Sequence, residues 1–440
     1  MLKKSLVIII SALIISSFAA CTGNAGQSSS SSSSASSVTS GSSVSADSSS
    51  SGNSSSSGSE EVTFSGYEKG IIDTTNLFTK RDLTQTADTS SAKTLEVSDG
   101  QTLKITEEGV YVIKGTAKNC TIRVEADDTA KVQLVLDGVS ITNDSTPAIY
   151  VVSADKCFVT TGADSTLSVT GAFTADSDTN TDAVIFSKDD LVLNGTAALT
   201  INSAQGNGVT GKDDVKVTGG TYNITSALDS IEANDSIAIY DGTFTINSSK
   251  DGLHSENSDD DTKGYVYIHG GTFTINAKSD AVQATTYLQV DGGTFKLTAA
   301  EGFEATSIQI NDGTIEISAS DDGINGTQKS NSVGTPSIEI NGGKLTIVMG
   351  QGDTDAIDCN GNITVNGGTI DITAQMSSFD YDGTATYHGG TIIINGQEVN
   401  SIPQSMMGGG GMGGQMGGGM GGQAPNAQNG NGFGGNGFAR

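Results

Sequence analysis

The sequence of 440 residues contains no tryptophan and only three arginines, Arg81, Arg123 and Arg440. With 22 Lys and Arg against 50 Asp and Glu, its formal net charge is −28 at pH 7. Nucleic-acid binding depends on clustered Lys and Arg that neutralise phosphates, so this composition excludes a nucleic-acid-binding protein. A chain this acidic instead suggests bound cations.

Cysteine and histidine are also scarce. Beyond Cys21, the chain has only Cys120, Cys157 and Cys359, an odd number with no CxxC spacing. We therefore exclude a disulfide framework and expect buried free thiols, with a Cys120–Cys157 bridge as the alternative. The three histidines share no ligand spacing, which argues against a zinc site.

The N-terminus has the layout of a secretory signal. Two lysines precede an apolar run from Leu6 to Ile15, and Ser-Ser-Phe-Ala-Ala-Cys follows. Because Cys21 after two alanines resembles a bacterial lipobox, we predict a signal peptide over 1–21 and lipidation of Cys21. The protein would then be anchored on the outer face of the cytoplasmic membrane, with plain secretion as the alternative. No other run is long and apolar enough to span a bilayer, so the lipid would be the only membrane contact.

Two low-complexity segments flank the central part of the chain. From Ser28 to Ser59, 22 of 32 residues are serine. Such a segment buries too little apolar surface to offset the entropy of ordering, so we predict a flexible stalk over 22–59. Residues 401–440 are rich in Gly and Met and contain no acidic residue. We predict a disordered tail there.

A repeat fills the centre of the chain. Copies such as VKVTGGTYNI, IAIYDGTFTI, VYIHGGTFTI and LQVDGGTFKL place alternating apolar residues on both sides of a Gly-Gly or Asp-Gly turn. The second glycine of each turn falls at positions 195, 220, 242, 271, 293, 313, 343, 368 and 390. A meander of hairpins would need a second regular set of turns, whereas stacked coils tolerate variable loops between copies. We therefore predict an all-β fold, a right-handed parallel β-helix, over 95–400, preceded by an N-terminal cap over 60–94.

Acidic residues recur in phase with these glycines. Each opens a polar, small, apolar triplet such as Asp-Gly-Leu, and a second polar position follows three residues later. The first column contains Asp229, Asp251, Asp280, Glu301, Asp322 and Asp355, with Asn207 and Asp380 as further members, and the second contains Glu232, His254, Gln283, Glu304, Asn325 and Asp358. Equivalent side chains on stacked coils lie about 4.8 Å apart. Two carboxylates at that distance repel by about 3 to 4 kcal/mol at an effective dielectric constant near 20.

Calcium is the cation that fits such a column best, because it accepts many oxygen ligands in flexible geometry. The predicted ligands are Asp229, Glu232, Asp251, Asp280, Glu301, Glu304, Asp322, Asp355 and Asp358. The alternative is that these side chains cap β-turns, where Asp and Asn are favoured.

A separate loop, Asp176-Ser-Asp178-Thr-Asn180-Thr-Asp182, has oxygen-bearing side chains at alternate positions. It lacks the Gly and Glu that an EF-hand requires. The loop is equally consistent with a calcium site of another kind and with an ordinary polar insertion.

The chain resembles a family of secreted bacterial carbohydrate-binding proteins, found largely in clostridia and their relatives. The resemblance rests on the GGTFxI copies with Asp-x-Ile following, together with the lipobox, the Ser-rich stalk and the Gly/Met-rich tail, and it covers residues 60–400. It implies a calcium-bearing parallel β-helix that binds plant cell-wall polysaccharide, cellulose-like or pectic, without established catalysis. It places metal ligands on the Asp and Glu of the columns, which Asn207, Gln283 and Asn325 interrupt. We expect a monomer.

Two other functions stay open at this point. A calcium-dependent, pectate-type lyase would need a Lys or Arg as base, and the candidates here are Lys212, Lys250 and Lys278. A structural or adhesive surface solenoid without a sugar ligand is the second alternative. The acid pairs of a polygalacturonase are only partly matched, because its Gly-His-Gly and Arg-Ile-Lys parts are missing.

Overall fold

The computed structural model describes residues 70–352 and 354–403. These residues form 36 β-strands and no helix, so no helix able to cross a membrane occurs within them. The predicted signal peptide, the lipidation site Cys21, the stalk and nearly all of the tail lie outside the described residues.

The strands coil into a solenoid with three faces, here named A, B and C. Face A holds the strands that precede the glycine turns: β1 (Lys93–Glu96), β3 (Gly109–Lys118), β5 (Lys131–Asn143), β7 (Lys156–Ala163), β10 (Asp190–Gly195), β13 (Asp214–Val217), β16 (Ser236–Ile239), β19 (Tyr265–Ile268), β22 (Tyr287–Val290), β25 (Ser307–Ile310), β28 (Ser337–Ile340), β31 (Asn362–Val365) and β34 (Ala385–Tyr387). Face B holds the strands that follow those turns: β8 (Ser165–Val169), β11 (Ala198–Ser203), β14 (Thr221–Ser226), β17 (Thr243–Ser248), β20 (Thr272–Asn276), β23 (Thr294–Ala299), β26 (Thr314–Ala319), β29 (Lys344–Met349), β32 (Thr369–Thr373), β35 (Thr391–Ile394) and β36 (Gln397–Val399).

Face C is a separate 12-stranded sheet. Its strands are β2 (Thr102–Ile105), β4 (Thr121–Glu125), β6 (Ile149–Ser153), β9 (Ala183–Ser187), β12 (Asn207–Gly211), β15 (Ile231–Ala233), β18 (Leu253–Ser255), β21 (Asp280–Ala284), β24 (Glu301–Ala305), β27 (Asp322–Gly326), β30 (Asp355–Cys359) and β33 (Ser377–Tyr381). Faces A and B join into one sheet because the long strand β5 pairs with both β7 and β8.

Neighbouring coils pair in parallel, and the final β35–β36 pair is antiparallel. The parallel solenoid predicted from the repeat is therefore confirmed, while its right-handed sense stays a prediction. Parallel pairing in register places equivalent residues of successive coils next to one another. Phe273, for example, lies opposite Phe244 on one side and Phe295 on the other. The ring centroids of these pairs are 4.7 Å and 4.6 Å apart, with nearly parallel planes. One strand spacing thus sets the contact distance throughout the core.

The interior is filled by the alternating apolar residues of the repeat, such as Val266 and Ile268 on face A, which are fully buried. Cys120, Cys157 and Cys359 are buried free thiols, as predicted, and the alternative Cys120–Cys157 bridge is absent.

The second glycine of each turn has a backbone requirement that no other residue meets. Gly293 has a φ of +107°, and a Cβ there would lie 3.0 Å from the carbonyl oxygen of Gly271 on the preceding coil. The first turn position has no positive φ, and Asp241 and Asp312 are accepted there.

The described part of the predicted cap region lies lengthwise along the outside of face A. Near its start, the Ile72 amide donates to Gln289 Oε1 at 2.9 Å. Near its end, Asp82 is completely buried and 3.5 Å from Lys156 Nζ. Apolar packing holds the segment on this course, because Tyr267 points outward from face A and Phe78 packs against it.

Candidate metal centre on face C

Both predicted polar columns form on face C. In the first column, Asp280 lies opposite Glu301, and Asp322 lies opposite Asp355. In the second column, successive coils bring together Glu232, His254, Gln283, Glu304, Asn325 and Asp358.

One assignment within the columns is corrected. Ser377, and not Asp380, lies opposite Asp355 in the first column, whereas Asp380 lies opposite Asp358 in the second. Counting from the glycine turns fails here because the corner between faces B and C differs in length from coil to coil.

The small residue of each triplet has a packing reason. A Cβ on Gly252 would lie 2.4 Å from the carbonyl oxygen of Ala281 and 2.7 Å from the Ile275 side chain. The middle position therefore faces the core at a point too narrow for a large side chain. The next residue, Leu253, is also fully buried, so two consecutive inward residues break the simple alternation of a strand.

The first column links each coil to the next through its carboxylates. Asp251 N donates to Asp229 Oδ1 at 2.9 Å, and Asp280 N donates to Asp251 Oδ1 at 2.9 Å. Asn207 acts in the same way, since its Oδ1 accepts from Asp229 N. The capping alternative therefore accounts for one oxygen of these side chains, and it explains why Asn is accepted in the column. The second oxygen has other contacts: Asp229 Oδ2 lies 2.7 Å from Lys250 Nζ, and Asp280 Oδ2 accepts from Gln283 Nε2.

Three carboxylates converge in the middle of the columns. The ligand oxygens of Asp280, Glu301 and Glu304 all lie within 4.8 Å of one another, and we name these three residues the central group. Gln283 Nε2 donates to Asp280 Oδ2 at 2.7 Å and also to Glu304. Asn325 Nδ2 donates to Glu301 Oε2 at 3.1 Å.

The central group carries little compensating positive charge. Lys329 Nζ lies 2.7 Å from Glu304 Oε1. Burial, together with the carboxylates of Glu304 and Asp251, raises the pKa of Asp280 to about 9. Burial and Glu304 likewise raise the pKa of Glu301 to about 8. Without a cation, the fold therefore favours the protonated form of these acids at neutral pH.

The oxygen of Asn325 is a further potential ligand beside the central group. Asn325 is 8% exposed, and its buried Oδ1 has no hydrogen-bond partner. A buried carboxamide oxygen without a partner is costly unless a cation or an ordered water contacts it. Three carboxylates, an amide oxygen and flexible spacing form a donor set that suits calcium better than zinc.

A second group lies one coil upstream and consists of Asp229, Asp251 and His254. This group holds its own cations: Lys250 Nζ lies 2.7 Å from Asp229 Oδ2, and His254 Nδ1 lies 3.5 Å from the same oxygen. Burial would raise the pKa of Asp229, but His254 and Lys250 outweigh it and lower that pKa to about 2. The protein thus neutralises this group internally.

The remaining predicted ligands lie outside both groups. Glu232 pairs with Lys212 at 3.1 Å and accepts from Asn207 Nδ2 at 2.9 Å. Asp322, Asp355 and Asp358 lie on adjacent coils, but no third carboxylate joins any of them within 4.8 Å among the residues that the structure describes. Burial raises the pKa of Asp322 to about 7 and that of Asp358 to about 6.

The loop at 176–182 does not gather its carboxylates. Asp176 forms an ion pair with Arg123 at 2.9 Å, and Asn180 Nδ2 donates to Asp182 Oδ2 at 2.9 Å. Asp178 is exposed. Arg123 is thus the charge partner of Asp176, and the choice between a calcium site and a polar insertion stays a prediction.

Two parts of the site could not be found from the sequence. Lys329 reaches the central group from the loop between β27 and β28. A second acidic cluster forms at the corner between faces C and A, where a hydrogen bond with Asp235 and burial raise the pKa of Asp213 to about 7. The paired acids at the start of β10 and β13 were the only sequence signal for it.

The raised pKa values predict how the metal-free protein responds to pH. Between the ordinary carboxyl pKa near 4 and the values of about 8 to 9 in the central group, the folded state binds more protons than the unfolded state. The free energy of unfolding in EDTA should therefore fall as the pH rises from about 5 to about 9. Urea denaturation at several pH values measures this, and Glu301→Gln should flatten the dependence. The exposed Glu316→Gln serves as control and should leave it unchanged; a wild-type curve that rises over this range would contradict the prediction.

Known proteins resemble the chain over the solenoid. Residues 99–356 and 307–411 match the model of a family described as carbohydrate-binding domain-containing protein. A carbohydrate-binding domain-containing protein of Acetivibrio thermocellus is 35% identical over 134 residues, which are 30% of this chain and 46% of that relative. The match thus spans less than half of the relative's length.

One solved structure is also similar. It is a polysaccharide lyase-like protein from C. thermocellum, determined as a gadolinium derivative, with 30% sequence identity and a TM-score of 0.45. The alignment covers 50% of this chain and 96% of that chain. On the extent of the family match, the protein belongs to the carbohydrate-binding domain-containing family.

Proposed function

We propose that the protein binds cell-wall polysaccharide without cleaving it, and that calcium stabilises its β-helix. Family membership supports polysaccharide binding. The observation that carries the calcium proposal is the central group of three converging, largely buried carboxylates.

The balance of charge favours the central group as the calcium site. Its three carboxylates and Lys329 leave two negative charges when all are ionised, which one divalent cation would neutralise. The upstream group differs, because Lys250 Nζ lies within 4 Å of both Asp229 and Asp251, and His254 lies beside the same two carboxylates. We propose Asp280, Glu301, Glu304 and the Oδ1 of Asn325 as ligands.

Removing one carboxylate should separate metal binding from simple repulsion. We expect calcium to raise the melting temperature of the wild type at pH 8, because a ligand at about 100 times its Kd adds about 2.7 kcal/mol of stability. Asp280→Asn should melt at least as high as the wild type in EDTA, since it removes a carboxyl whose ionisation burial and Glu304 oppose, yet gain much less from calcium. Differential scanning calorimetry measures both effects.

The exposed Glu316→Gln makes the same change in charge and should behave as the wild type in both conditions. A metal-free wild-type protein whose melting curve does not respond to calcium would rule out the calcium proposal.

Two of the three lysines considered as lyase bases, Lys250 and Lys212, are poorly suited to remove a proton. Burial would lower the pKa of Lys250, but its hydrogen bond to Asp229 outweighs burial and raises that pKa. The pKa of Lys212 is raised in the same way, by Glu232. Both side chains are therefore held as ammonium ions, and a general base must be unprotonated before it can act. This supports binding without cleavage.

We expect the protein with calcium to be retained on insoluble cellulose, on polygalacturonate, or on both, and to bind short oligomers weakly because binding sums over many coils. Sedimentation with each polymer, with and without EDTA, measures retention. No absorbance from unsaturated uronate should appear. Its appearance, with loss in Lys250→Ala or Lys278→Ala, would instead establish a lyase. Retention on neither polymer would favour the structural or adhesive solenoid.

We also propose that the protein is a lipoprotein anchored outside the cytoplasmic membrane through Cys21, with the Ser-rich segment as spacer. The sequence around Cys21 supports this. Membrane fractionation should show that Cys21→Ala is released or stalls as an unprocessed precursor. A variant that is processed normally and stays in the membrane fraction would exclude the anchor.

A further inference from the structure

Face B presents its outward side chains in rows that run along the solenoid axis. The row next to face C, which we name the edge row, contains Thr142, Ser168, Asn202, Thr225, Asn247, Asn276, Thr298, Ser318, Val348 and Thr373. Strand pairing places these ten residues opposite one another on successive coils. None of them is charged, although the whole protein carries a net charge of −28.

The neighbouring row on face B is different. It begins with Thr166 and Thr200 but includes Lys296, Glu316 and Asp371 further along. Strand pairing continues the edge row one coil upstream to the exposed Lys118, which lies opposite Thr142. The row is uncharged from Thr142 to Thr373, which is not true of every row on this face.

The exposed large apolar side chains of the described residues all lie at this same edge. They are Leu228 at 42%, Val348 at 44% and Met376 at 53% exposure. Leu228 and Met376 occupy the corners that lead from β14 to β15 and from β32 to β33, while Val348 belongs to the edge row.

Two shallow grooves follow the edge. The first is lined by Ser168, Asn202 and Thr225 together with neighbouring corner residues. The second is lined by Thr298, Ser318 and Val348 with corner residues that include one charged side chain, Lys278. The edge row thus supplies hydroxyl groups to both grooves and the Asn202 amide to the first. Apolar side chains, such as Val169 in the first groove and Val348 in the second, lie beside these polar groups.

This combination fits one class of ligand. A pyranose ring has hydroxyl groups at its rim and apolar C–H faces, so it matches polar and apolar contacts placed side by side. A charged polymer gains nothing from an uncharged row, and a polyanion is repelled by the rest of the protein. Equivalent groups recur about every 4.8 Å along the axis, so an extended glycan lying along it meets the same chemistry on each coil.

We propose that the edge row and its two grooves form the surface on which a neutral polysaccharide chain lies, parallel to the solenoid axis. This inference rests on the proposed polysaccharide binding and adds the location and the neutral character of the ligand. The contact is a sum of many weak bonds. It does not use the central group, whose calcium acts on stability.

Paired substitutions test the location. Thr225→Asp with Thr298→Asp places one negative charge in each groove, at exposed strand positions. Thr243→Asp with Thr294→Asp is the matched control, since these threonines are also exposed and lie on the far row of face B. Both double variants of the full chain are compared with the wild type in calcium, by binding to cellulose and by melting temperature.

We expect the edge variant to bind cellulose at least about tenfold more weakly, because several hydrogen bonds to hydroxyl groups are lost along the row. The affinity of the control variant should stay within about twofold of the wild type, and the two double variants should have similar melting temperatures. Binding by the wild type should change little between low and high salt, as expected for a neutral ligand.

Several outcomes would overturn the inference. If the wild type binds cellulose and the edge variant binds equally well, the proposed location is wrong but the proposed function stands. The same holds if the control variant loses as much affinity as the edge variant. Retention on polygalacturonate alone, or self-association that only the edge variant abolishes, also rejects the neutral glycan. A wild type that binds no polysaccharide at all removes the proposed function together with this inference.

Discussion

Parallel pairing of each coil with the next, in register and at one strand spacing, is the constraint on which the rest of this structure depends. It places every residue directly over its equivalent, so a choice made once in the repeat is repeated along the axis. For the apolar positions this is favourable, and Phe244, Phe273 and Phe295 stack with parallel rings. For the turns it is restrictive, because a Cβ on Gly293 would lie 3.0 Å from a carbonyl oxygen of the coil before it.

For acidic side chains the same stacking is unfavourable, since burial and mutual repulsion act together. The structure reduces this cost in three ways. Carboxylate oxygens accept amide protons from the next coil, as at Asp229 and Asp251. Lysines from other segments pair with the acids where they reach them, as Lys250 and Lys329 do. At the central group neither device is sufficient, and the raised pKa of Asp280 is the consequence. The proposed calcium ion belongs where the internal compensation ends.

The distribution of charge also separates possible roles. Acids concentrate on face C and at its corners, whereas the edge row of face B is uncharged over ten coils. Face A is covered in part by the segment around Phe78 and Ile72, which buries Tyr267 and pairs with Gln289. The proposed metal site and the proposed ligand surface therefore lie on different faces. A metal that stabilises face C can affect binding on face B only by preserving the stacking of coils.

The sequence by itself determined the solenoid, the inward residues and both polar columns, because each follows from a period that stacking preserves. It also predicted free thiols at Cys120, Cys157 and Cys359. It did not determine what depends on contacts between distant segments. The pairing of Arg123 with Asp176, the reach of Lys329 to Glu304 and the lengthwise course of residues 70–92 each join parts of the chain with no shared period. Only the tertiary structure decided which acids are neutralised internally, because a charge partner is fixed by distance in space and not by spacing along the chain.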